Sequence, residues 1–363
     1  MENILLPLLI TTVEASTFFR KISYKMKRYD IVFDFSSSPS GGAIQRIEAY
    51  ASFFSNSSLN TLFFVHQEIA QRIEQFHGIN VVLVEKKSTL AKALVIGKYL
   101  SVLEEKPYWF FSYGIPLSRP VGENNWFHIS NILPLYLEKV STSFSLYLKM
   151  YLFKLHLKFR LQNCDIVSAE SEFSLDLYAK HICSNTHQVL LKNGITDSVI
   201  FDNNCNKLSH NYAIAVGTYN YKRLDITYKV FRSIKNEFKL MSLKIIGNED
   251  NVPKYIRCQD DVELISYLSD EDYYSALSGA DIFISTSAVE NSSNAVIEGL
   301  SLSKKIIISD IPSQREILTF ANGSNRNIAG YDMLVFDKKS ISLEKFESWH
   351  LIINKMLSEM KLL

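Results

Sequence analysis

The chain has 363 residues, of which 47% are hydrophobic and 21% are charged, and its formal net charge at pH 7 is +1. This length is too great for one ordinary hydrophobic core and fits two domains of the usual size. The composition is that of a globular protein, and the nearly balanced charge argues against binding of nucleic acid by bulk electrostatics, so no nucleic-acid partner is expected.

The cysteines show no metal-site or redox pattern. None of the four forms a CxxC pair or a Cys/His spacing typical of a metal ligand set. They are Cys164, Cys183, Cys205 and Cys258. A reduced, cytoplasmic compartment is the simplest interpretation.

Residues 1–28 are interpreted as an N-terminal extension. The apolar run at residues 4–13 falls short of the roughly 20 residues that cross a bilayer, and no basic residue precedes it as in a signal peptide. The basic and aromatic stretch at residues 18–28 fits either a segment on an anionic membrane surface or a packed extension. Both interpretations stay open.

Short apolar strands alternate with helical stretches from residue 29 onward. The predicted strands lie at residues 29–35, 62–65, 79–84, 109–112 and 126–134. A first helix is predicted to end near residue 54, and two more are predicted at residues 67–76 and 89–104. This alternation predicts a doubly wound, mainly parallel sheet. We assign it to a first Rossmann-like domain over residues 29–197.

Two features of this domain have both a binding and a structural interpretation. Gly41 and Gly42 follow the first strand, where paired glycines let the backbone approach a ligand closely, although a plain tight turn is the alternative. The G-x-G-x-x-G pattern is not matched. His128 lies on the strand at residues 126–134 and could face a ligand or be hydrogen-bonded in the core.

A long helix is predicted at residues 144–161. Basic residues are spread among its leucines and aromatic residues, namely Lys149, Lys154, Lys158 and Arg160. One interpretation is a helix with one buried face and snorkelling lysines; another is a surface that faces a membrane. We favour the buried face for the helix and keep peripheral membrane contact as a hypothesis for the whole protein.

A second Rossmann-like domain is predicted over residues 198–340, after a polar linker at residues 197–210. Its first strand ends at Gly217, and Lys222 and Arg223 follow in the next loop. A Ser-Asp-Glu-Asp run at residues 269–272 contains an Asp-x-Asp pattern, but Ser269 with an acidic residue three positions later predicts a helix cap rather than a metal site. A final helix over residues 343–362, in a segment at 341–363, is expected to pack on the first domain.

Two glutamates, Glu290 and Glu298, bracket a predicted strand-to-helix turn. The Asn-Ser-Ser-Asn between them is typical of a loop that caps a helix, and residues 280–286 predict a buried parallel strand before it. Ligands bind at the carboxyl edge of such sheets, and a helix N-terminus attracts phosphate. With a phosphate there, each glutamate could accept hydroxyls of a different sugar, as in a nucleotide-sugar. Chance spacing, or a carboxylate that stabilises the helix dipole, is the alternative.

This Glu-x7-Glu pattern, followed by the apolar strand at residues 305–312 and Arg315-Glu316, resembles the donor-binding signature of glycosyltransferase family 4, which includes bacterial O-antigen and capsule transferases. The resemblance implies a GT-B α/β fold with two Rossmann-like domains facing a cleft, the first binding the acceptor and the second the donor, and a C-terminal helix that crosses back. It covers nearly everything from residue 29 onward.

The resemblance also implies site residues. It places Glu290 beside the donor sugar as a catalytic residue and Glu298 on the ribose. Donor phosphates are expected at Ser292, Ser293 and Asn294.

Weaker motifs extend these assignments. Gly41-Gly42 resembles the family's loop between donor phosphates and acceptor, and His128 with Asn131 resembles a His-Asn loop that faces the donor sugar, which casts His128 as a second catalytic residue. Residues 189–195 resemble the Asn-Gly element at the domain junction.

The loop after Gly217 resembles the family's Val-Gly-Arg…Lys loop, whose cations bind the pyrophosphate. Thr218 stands at the usual Arg position. Lys222, with Arg223 as the alternative, must therefore neutralise the departing nucleoside diphosphate.

The function implied is a retaining transfer of a hexose or N-acetylhexosamine from a nucleotide-sugar to an undecaprenyl-linked glycan in O-antigen or capsule biosynthesis. The protein is expected in the cytoplasm, with peripheral contact to the inner membrane as an open hypothesis, and without a cofactor or metal. A catalytically inactive GT-B scaffold and a GT-B sugar-nucleotide epimerase or hydrolase are the alternatives. Intact Glu290 and Glu298 argue against the scaffold, while Thr218 leaves it open.

Overall fold

The computed structural model describes residues 28–37, 42–85, 89–116, 119–137, 144–182, 186–195, 211–319, 321–341 and 346–363. Gly41, the linker predicted at residues 197–210 and all but the last residue of the predicted N-terminal extension lie outside these ranges.

The first domain is a parallel sheet with helices on both faces. Its strands are β1 Ile31–Asp34, β2 Thr61–Val65, β3 Asn80–Leu83, β4 Trp109–Tyr113, β5 Asn124–Ile129, β6 Ile166–Ala169 and β7 His187–Leu190. They pair in the order β3-β2-β1-β4-β5-β6-β7, always in parallel. The helices are α1 Ala43–Ser55, α2 Gln67–Ile73, α3 Thr89–Ser101, α4 Phe144–Arg160 and α5 Glu172–Ile182. The predicted doubly wound parallel sheet is confirmed.

The centre of this sheet is buried on both sides because its strands carry apolar side chains at nearly every position. Strands β1, β2 and β4 have no exposed residue. On one face the rings of Phe33, Phe63 and Phe111 lie against each other, with centroids 4.8 Å apart for the first pair and 5.6 Å for Phe33 and Phe111.

The second domain repeats the pattern. Its strands are β8 Tyr212–Val216, β9 Ser242–Ile246, β10 Val262–Ile265, β11 Ile282–Ser285, β12 Lys305–Ser309, β13 Ala321–Ile328 and β14 Tyr331–Ile341, in the order β10-β9-β8-β11-β12-β14-β13. Its helices are α6 Leu224–Ile234, α7 Lys254–Arg257, α8 Asp270–Gly279, α9 Asn294–Leu302 and α10 Pro312–Arg315. Strands β8 to β12 pair in parallel.

An antiparallel hairpin of β13 and β14 extends this sheet and was not predicted. Strand β14 pairs antiparallel with β12, and β13 forms the edge. Only the first and last residues of β13 are buried. A polar edge strand lacks the apolar alternation from which strands are predicted.

The C-terminal helix α11, Trp349–Glu359, begins later than the predicted residue 343. The Ser348 side chain caps it by accepting a hydrogen bond from the Leu351 amide at 3.4 Å. The preceding backbone pairs instead with the first domain, since the Ile195 amide donates to the Glu347 carbonyl at 3.1 Å. Buried residues of α11, including Trp349 and Met356, join the first domain's core, so the predicted crossing back is confirmed.

None of the helices in the described ranges is long and apolar enough to cross a lipid bilayer.

Candidate active site

The helix α9 begins where the sequence predicted. Ser293 is its N-cap in extended conformation, and the Val296 and Ile297 amides donate to the Ser293 carbonyl at 3.0 and 3.1 Å. The first amides of a helix lack intrahelical acceptors and lie at the positive end of its dipole. Because β11 precedes α9 directly, this anion-attracting end lies at the carboxyl edge of the second sheet.

Glu290, in the loop between β11 and α9, is held by two donors. The Lys222 ammonium lies 2.6 Å from its Oε1, and the Ser287 hydroxyl donates to the same atom at 2.6 Å. Gly217 stands beside this lysine with φ +90°, and an added Cβ would lie 3.1 Å from the Lys222 Cε. The structure thus brings together two predicted site residues that are 68 positions apart.

Arg223 donates to backbone carbonyls of the loop after β11. Its Nε donates to the Thr286 carbonyl at 2.6 Å and its Nη2 to the Ser287 carbonyl at 3.2 Å. The guanidinium therefore fastens the loop after β11 to the start of α6. Thr218 is buried and lies under Gly247, where an added Cβ would come within 2.7 Å of the Thr218 methyl group.

Glu298 lies in the first turns of α9 and is only 6% exposed. The Tyr273 hydroxyl donates to its Oε2 at 2.6 Å, and the Gln45 amide donates to its Oε1. Burial raises the pKa of the Glu298 carboxyl to about 7, although both hydrogen bonds act in the opposite direction. The Glu298 carboxylate is thus removed from solvent, and its hydrogen-bond donors are the Gln45 and Tyr273 side chains.

A second hydrogen bond joins the domains beside Glu298. The Asn294 amide donates to the Gly42 carbonyl at 3.1 Å and to the Gln45 Oε1 at 3.0 Å. An added Cβ at Gly42 would lie 2.8 Å from the Asn294 Nδ2, so a larger residue there would have to displace the Asn294 side chain. The predicted glycine loop and the predicted phosphate loop therefore meet, although Gly41 itself lies outside the described residues.

A buried polar cluster lies on the first-domain side of the same cleft. Glu170, which follows β6, has its Oε1 3.7 Å from the Arg46 guanidinium and accepts from the Tyr113 hydroxyl at 3.3 Å. The Asn291 amide donates to the other carboxylate oxygen at 3.0 Å. Burial raises the pKa of Glu170 to about 7 against the attraction of Arg46, and the charge of Glu290 adds to the rise.

First-domain groups hold the loop between Glu290 and α9 in place. The Asn291 amide donates to the Ile129 carbonyl at 2.8 Å, and its Oδ1 accepts from the Ser174 hydroxyl. The Asn193 amide donates to the Ser292 carbonyl at 3.0 Å. The backbone that precedes the helix N-terminus is therefore positioned from across the cleft.

His128 lies behind this cluster, with no exposed surface. Its Nδ1 lies 2.8 Å from the Ser168 hydroxyl. That hydroxyl oxygen accepts a hydrogen bond from the Trp126 indole at 2.7 Å, so the Ser168 hydroxyl can donate its own proton to the His128 Nδ1. That arrangement leaves the proton of a neutral ring on Nε2, 3.5 Å from the Glu170 carboxylate. Burial, aided by Arg46, lowers the pKa of His128 well below its ordinary value, so the ring is neutral. Direct contact with a donor sugar does not fit this burial.

Several residues of the site were missed in the sequence. They are Gln45, Arg46, Glu170, Asn193, Tyr273 and Asn291. Glu170 carried a signal, because an acidic residue directly after an apolar strand lies at the carboxyl edge of the sheet. The others lie on helices or loops far from their partners in the chain, and Gln45, Asn193 and Asn291 pair across the two domains.

The described residues contain no group of His, Cys, Asp and Glu that could hold a metal ion. The acidic run at residues 270–272 forms the first turn of α8. There the Ser269 hydroxyl accepts from the Asp272 amide at 3.1 Å, as the predicted cap requires. Asp270 instead pairs with Arg72 of the first domain at 3.4 Å.

Chemically, the site offers anion-binding amides, one lysine and two carboxylates on either side of a helix N-terminus. Such a set suits a ligand with phosphate in the middle and hydroxyls at both ends.

Comparisons with known proteins agree with this arrangement. Residues 210–339, the second domain, match the family described as glycosyl transferases group 1. No curated protein matches the sequence. On the family match, the chain is a glycosyltransferase.

Solved structures share its architecture at low sequence identity. A glycosyltransferase from Rickettsia africae superposes with a TM-score of 0.65 at 14% identity, covering 93% of this chain and 98% of that chain. Anabaena HepE in complex with UDP and glucose has a TM-score of 0.64 at 11% identity, covering 93% and 100%. Sucrose-phosphate synthase from Thermosynechococcus elongatus has a TM-score of 0.59 at 11% identity, covering 80% and 83%. The fold is GT-B, as predicted.

Proposed function

We propose that this glycosyltransferase takes a hexose or N-acetylhexosamine from a nucleotide-sugar and transfers it, with retention of configuration, to a lipid-linked oligosaccharide of a bacterial surface polysaccharide. The observation that carries the donor half of the proposal is the placement of Glu290 and Glu298 on either side of the N-terminus of α9. The acceptor half rests on the family resemblance.

The phosphates, the ribose and the sugar of the donor are each assigned to a different part of the site. The phosphates lie against the first amides of α9 and against Ser292, Ser293 and Asn294, where the helix dipole favours negative charge. The ribose hydroxyls donate to Glu298, and the sugar lies beside Glu290. Anabaena HepE is described with UDP and glucose, so uridine nucleotides are the first candidates.

Ribose binding requires an exchange of partners at Glu298. Its carboxylate accepts hydrogen bonds from Gln45 and Tyr273. Ribose hydroxyls are equivalent donors, so they take the place of Gln45 at little net cost in hydrogen bonds. Because Gln45 belongs to the first domain, this exchange loosens one link across the cleft and lets the donor enter.

Lys222 supplies the charge for leaving-group departure. Its ammonium is paired with Glu290 at 2.6 Å. A diphosphate, with its greater negative charge, draws the ammonium towards itself, and the lysine then stabilises the charge that develops as the nucleotide leaves. Arg223 holds the loop after β11 through its hydrogen bonds to the Thr286 and Ser287 carbonyls.

His128 acts as a positioning residue in this proposal rather than on the donor. Its neutral ring lies against Glu170, which accepts from Asn291 in the phosphate loop. The His128→Gln variant should keep the donor's binding constant within a few-fold, whereas a direct sugar contact predicts a loss comparable to that of Glu290→Gln.

Thermal unfolding with a panel of UDP, GDP, ADP and their sugars tests the donor site. A ligand at 100 times its dissociation constant stabilises the folded state by about 2.7 kcal/mol. We expect one nucleotide family to stabilise the wild type and the Glu263→Ala control, whose carboxylate is half exposed on β10, but not Glu298→Ala.

The opposite results have distinct meanings. If no nucleotide stabilises the wild type at millimolar concentration, the donor proposal fails and the inactive scaffold becomes the better hypothesis. If the donor is turned over without an acceptor, an epimerase or hydrolase is favoured.

A further inference from the structure

The long crossover helix α4 presents apolar side chains to solvent. Only Met150 and Leu157 of its 17 residues are buried. The large apolar residues on its outer side are between 43% and 81% exposed: Phe144, Tyr147, Leu148, Tyr151, Leu152 and Phe159. The buried face expected from the sequence exists, but it accounts for a minority of the apolar residues.

The exposed apolar residues form one continuous stripe. At about 100° per residue, the exposed positions 144, 148, 151, 152 and 159 fall within an arc of roughly 100°, which the partly buried Leu155 shares, and Tyr147 lies about 40° beyond one edge. The stripe runs the length of a helix of about 25 Å and lies opposite Met150 and Leu157. Scattered single apolar residues on a surface are ordinary, whereas a stripe of this length marks a surface that meets something apolar.

Basic residues border the stripe on both sides. Lys154 and Lys158 lie along one edge and Lys149 along the other, and helix α4 contains no acidic residue. The ammonium of Lys154 reaches the His181 Nδ1 at 3.2 Å, and Lys149 and Lys158 are exposed. The segment thus carries a local positive charge on a protein whose net charge is only +1.

We infer that helix α4 docks the enzyme on an anionic lipid surface, with the stripe inserted among the headgroups and acyl chains and the lysines on lipid phosphates. An amphipathic helix with apolar and basic faces in this arrangement lies in the plane of the interface, with its apolar face about 5–10 Å deep. The charge favours lipid over a second copy of the chain, whose matching helix would bring like charges together.

The position of α4 relates this surface to catalysis. The helix connects β5 to β6. Strand β5 ends at Ile129, whose carbonyl accepts from Asn291 of the second domain. In α4 the His156 Nε2 lies 3.2 Å from the Pro116 carbonyl, in the loop that follows β4, so the helix reaches the carboxyl edge of the first sheet. An enzyme docked on a membrane through α4 would have its cleft near a lipid-linked acceptor. Only this link to the acceptor rests on the proposed function.

Flotation of the intact protein with vesicles tests the docking surface. We expect binding to vesicles containing phosphatidylglycerol and little binding to pure phosphatidylcholine. Leu148→Ser with Leu152→Ser should lower the partition coefficient at least tenfold, since each loses an inserted apolar side chain. Lys149→Gln and Lys158→Gln should each lower it roughly fivefold.

A matched control uses equally exposed apolar residues elsewhere. Leu94 and Met241 are 65% and 70% exposed on other elements, so Leu94→Ser with Met241→Ser should float like the wild type. Thermal unfolding of all variants without vesicles checks that they fold.

A site-specific probe gives an independent readout. The native tryptophans Trp109, Trp126 and Trp349 are buried. Phe144→Trp should shift its emission to shorter wavelength with anionic vesicles, whereas Tyr255→Trp, at a site that is 55% exposed in the second domain, should not.

Two results would overturn the inference. The first is equal flotation of the α4 double variant and the wild type, or no flotation at all. The second is a concentration-dependent dimer that the double variant abolishes while vesicles have no effect, which would assign the stripe to a second copy. None of these measurements needs donor or turnover, so a failed donor assay leaves them interpretable.

Discussion

Gln45 and Glu298 are 253 positions apart, yet the Gln45 amide donates to the Glu298 carboxylate across the cleft between the two domains. The carboxylate that we propose for ribose binding therefore already accepts a hydrogen bond from a first-domain side chain. If ribose binds Glu298 as proposed, this acceptor couples donor binding to the contact between the domains.

Replacing Gln45 by alanine removes the competitor at Glu298. We expect UDP to bind Gln45→Ala as tightly as the wild type or up to about fivefold tighter, because one protein hydrogen bond, about 1 kcal/mol, no longer has to be broken. Isothermal titration with UDP measures this. Gln75→Ala, at an exposed glutamine of the same domain, serves as control. Tenfold weaker binding by Gln45→Ala would mean that Gln45 is itself a ligand of the nucleotide.

The buried carboxyl of Glu298 predicts a pH dependence of stability. Its pKa is raised in the folded state from 4.5 to about 7. A raised pKa in an acid stabilises the folded protein fully below pH 4.5, and this contribution is lost as the pH rises through about 7. We therefore expect the stability of the wild type relative to Glu298→Gln to fall between pH 4.5 and 8, by about 3 kcal/mol at most.

Urea unfolding at several pH values measures that difference. Glu170 has its pKa raised to a similar value, but it is present in both proteins and cancels. A stability difference that is the same at pH 4.5 and 8 would show that the carboxyl of Glu298 titrates normally.

The same titration predicts tighter donor binding at higher pH. The ionised carboxylate accepts from two ribose hydroxyls, whereas the protonated form has lost part of its acceptor capacity. The dissociation constant of the nucleotide for the wild type should fall between pH 6 and pH 8, and that of Glu298→Gln should change much less. Equal pH profiles for both proteins would separate ribose binding from Glu298.

Lys222 is predicted to act on the departing nucleotide. Lys222→Met should lower kcat by roughly 10²–10³-fold, since a preorganised charge at a developing anion is worth several kcal/mol, with a smaller change in KM. Release of the nucleoside diphosphate under saturating donor measures this. Lys229→Met, at an exposed lysine beside Tyr331 in the same domain, is the control, and a loss confined to KM would assign Lys222 to ground-state binding instead.

The packing of α9 on β11 depends on Gly299. A Cβ added there would lie 2.6 Å from the ring of Phe283 on β11. Gly299→Ala should lower the free energy of unfolding by about 1–3 kcal/mol, the usual cost of overpacking a core. By contrast, Gly97→Ala in α3, where the new Cβ would meet only the Arg119 side chain at 3.7 Å, should raise it by about 0.5–1 kcal/mol through helix propensity. Equal effects in chemical denaturation would contradict this packing.

Local chemistry made much of the fold predictable. The apolar runs of the parallel strands, the Ser269 cap and the start of α9 after Ser293 depend on residues within one turn or strand of each other. The polar hairpin β13–β14 was not predictable in this way, because edge strands need no apolar face. The late start of α11 likewise depends on pairing with Ile195, from a remote part of the chain.

The sequence by itself determined two α/β domains and the placement of Glu290 and Glu298 around a helix N-terminus, because strand burial and helix caps are encoded by neighbours in the chain. Only the tertiary structure decided that Lys222 pairs with Glu290, that Gln45 occupies Glu298, that His128 is buried behind Glu170 and that the apolar side of α4 faces outward. Those relationships join residues from different elements, and burial and charge pairing arise only when the elements pack.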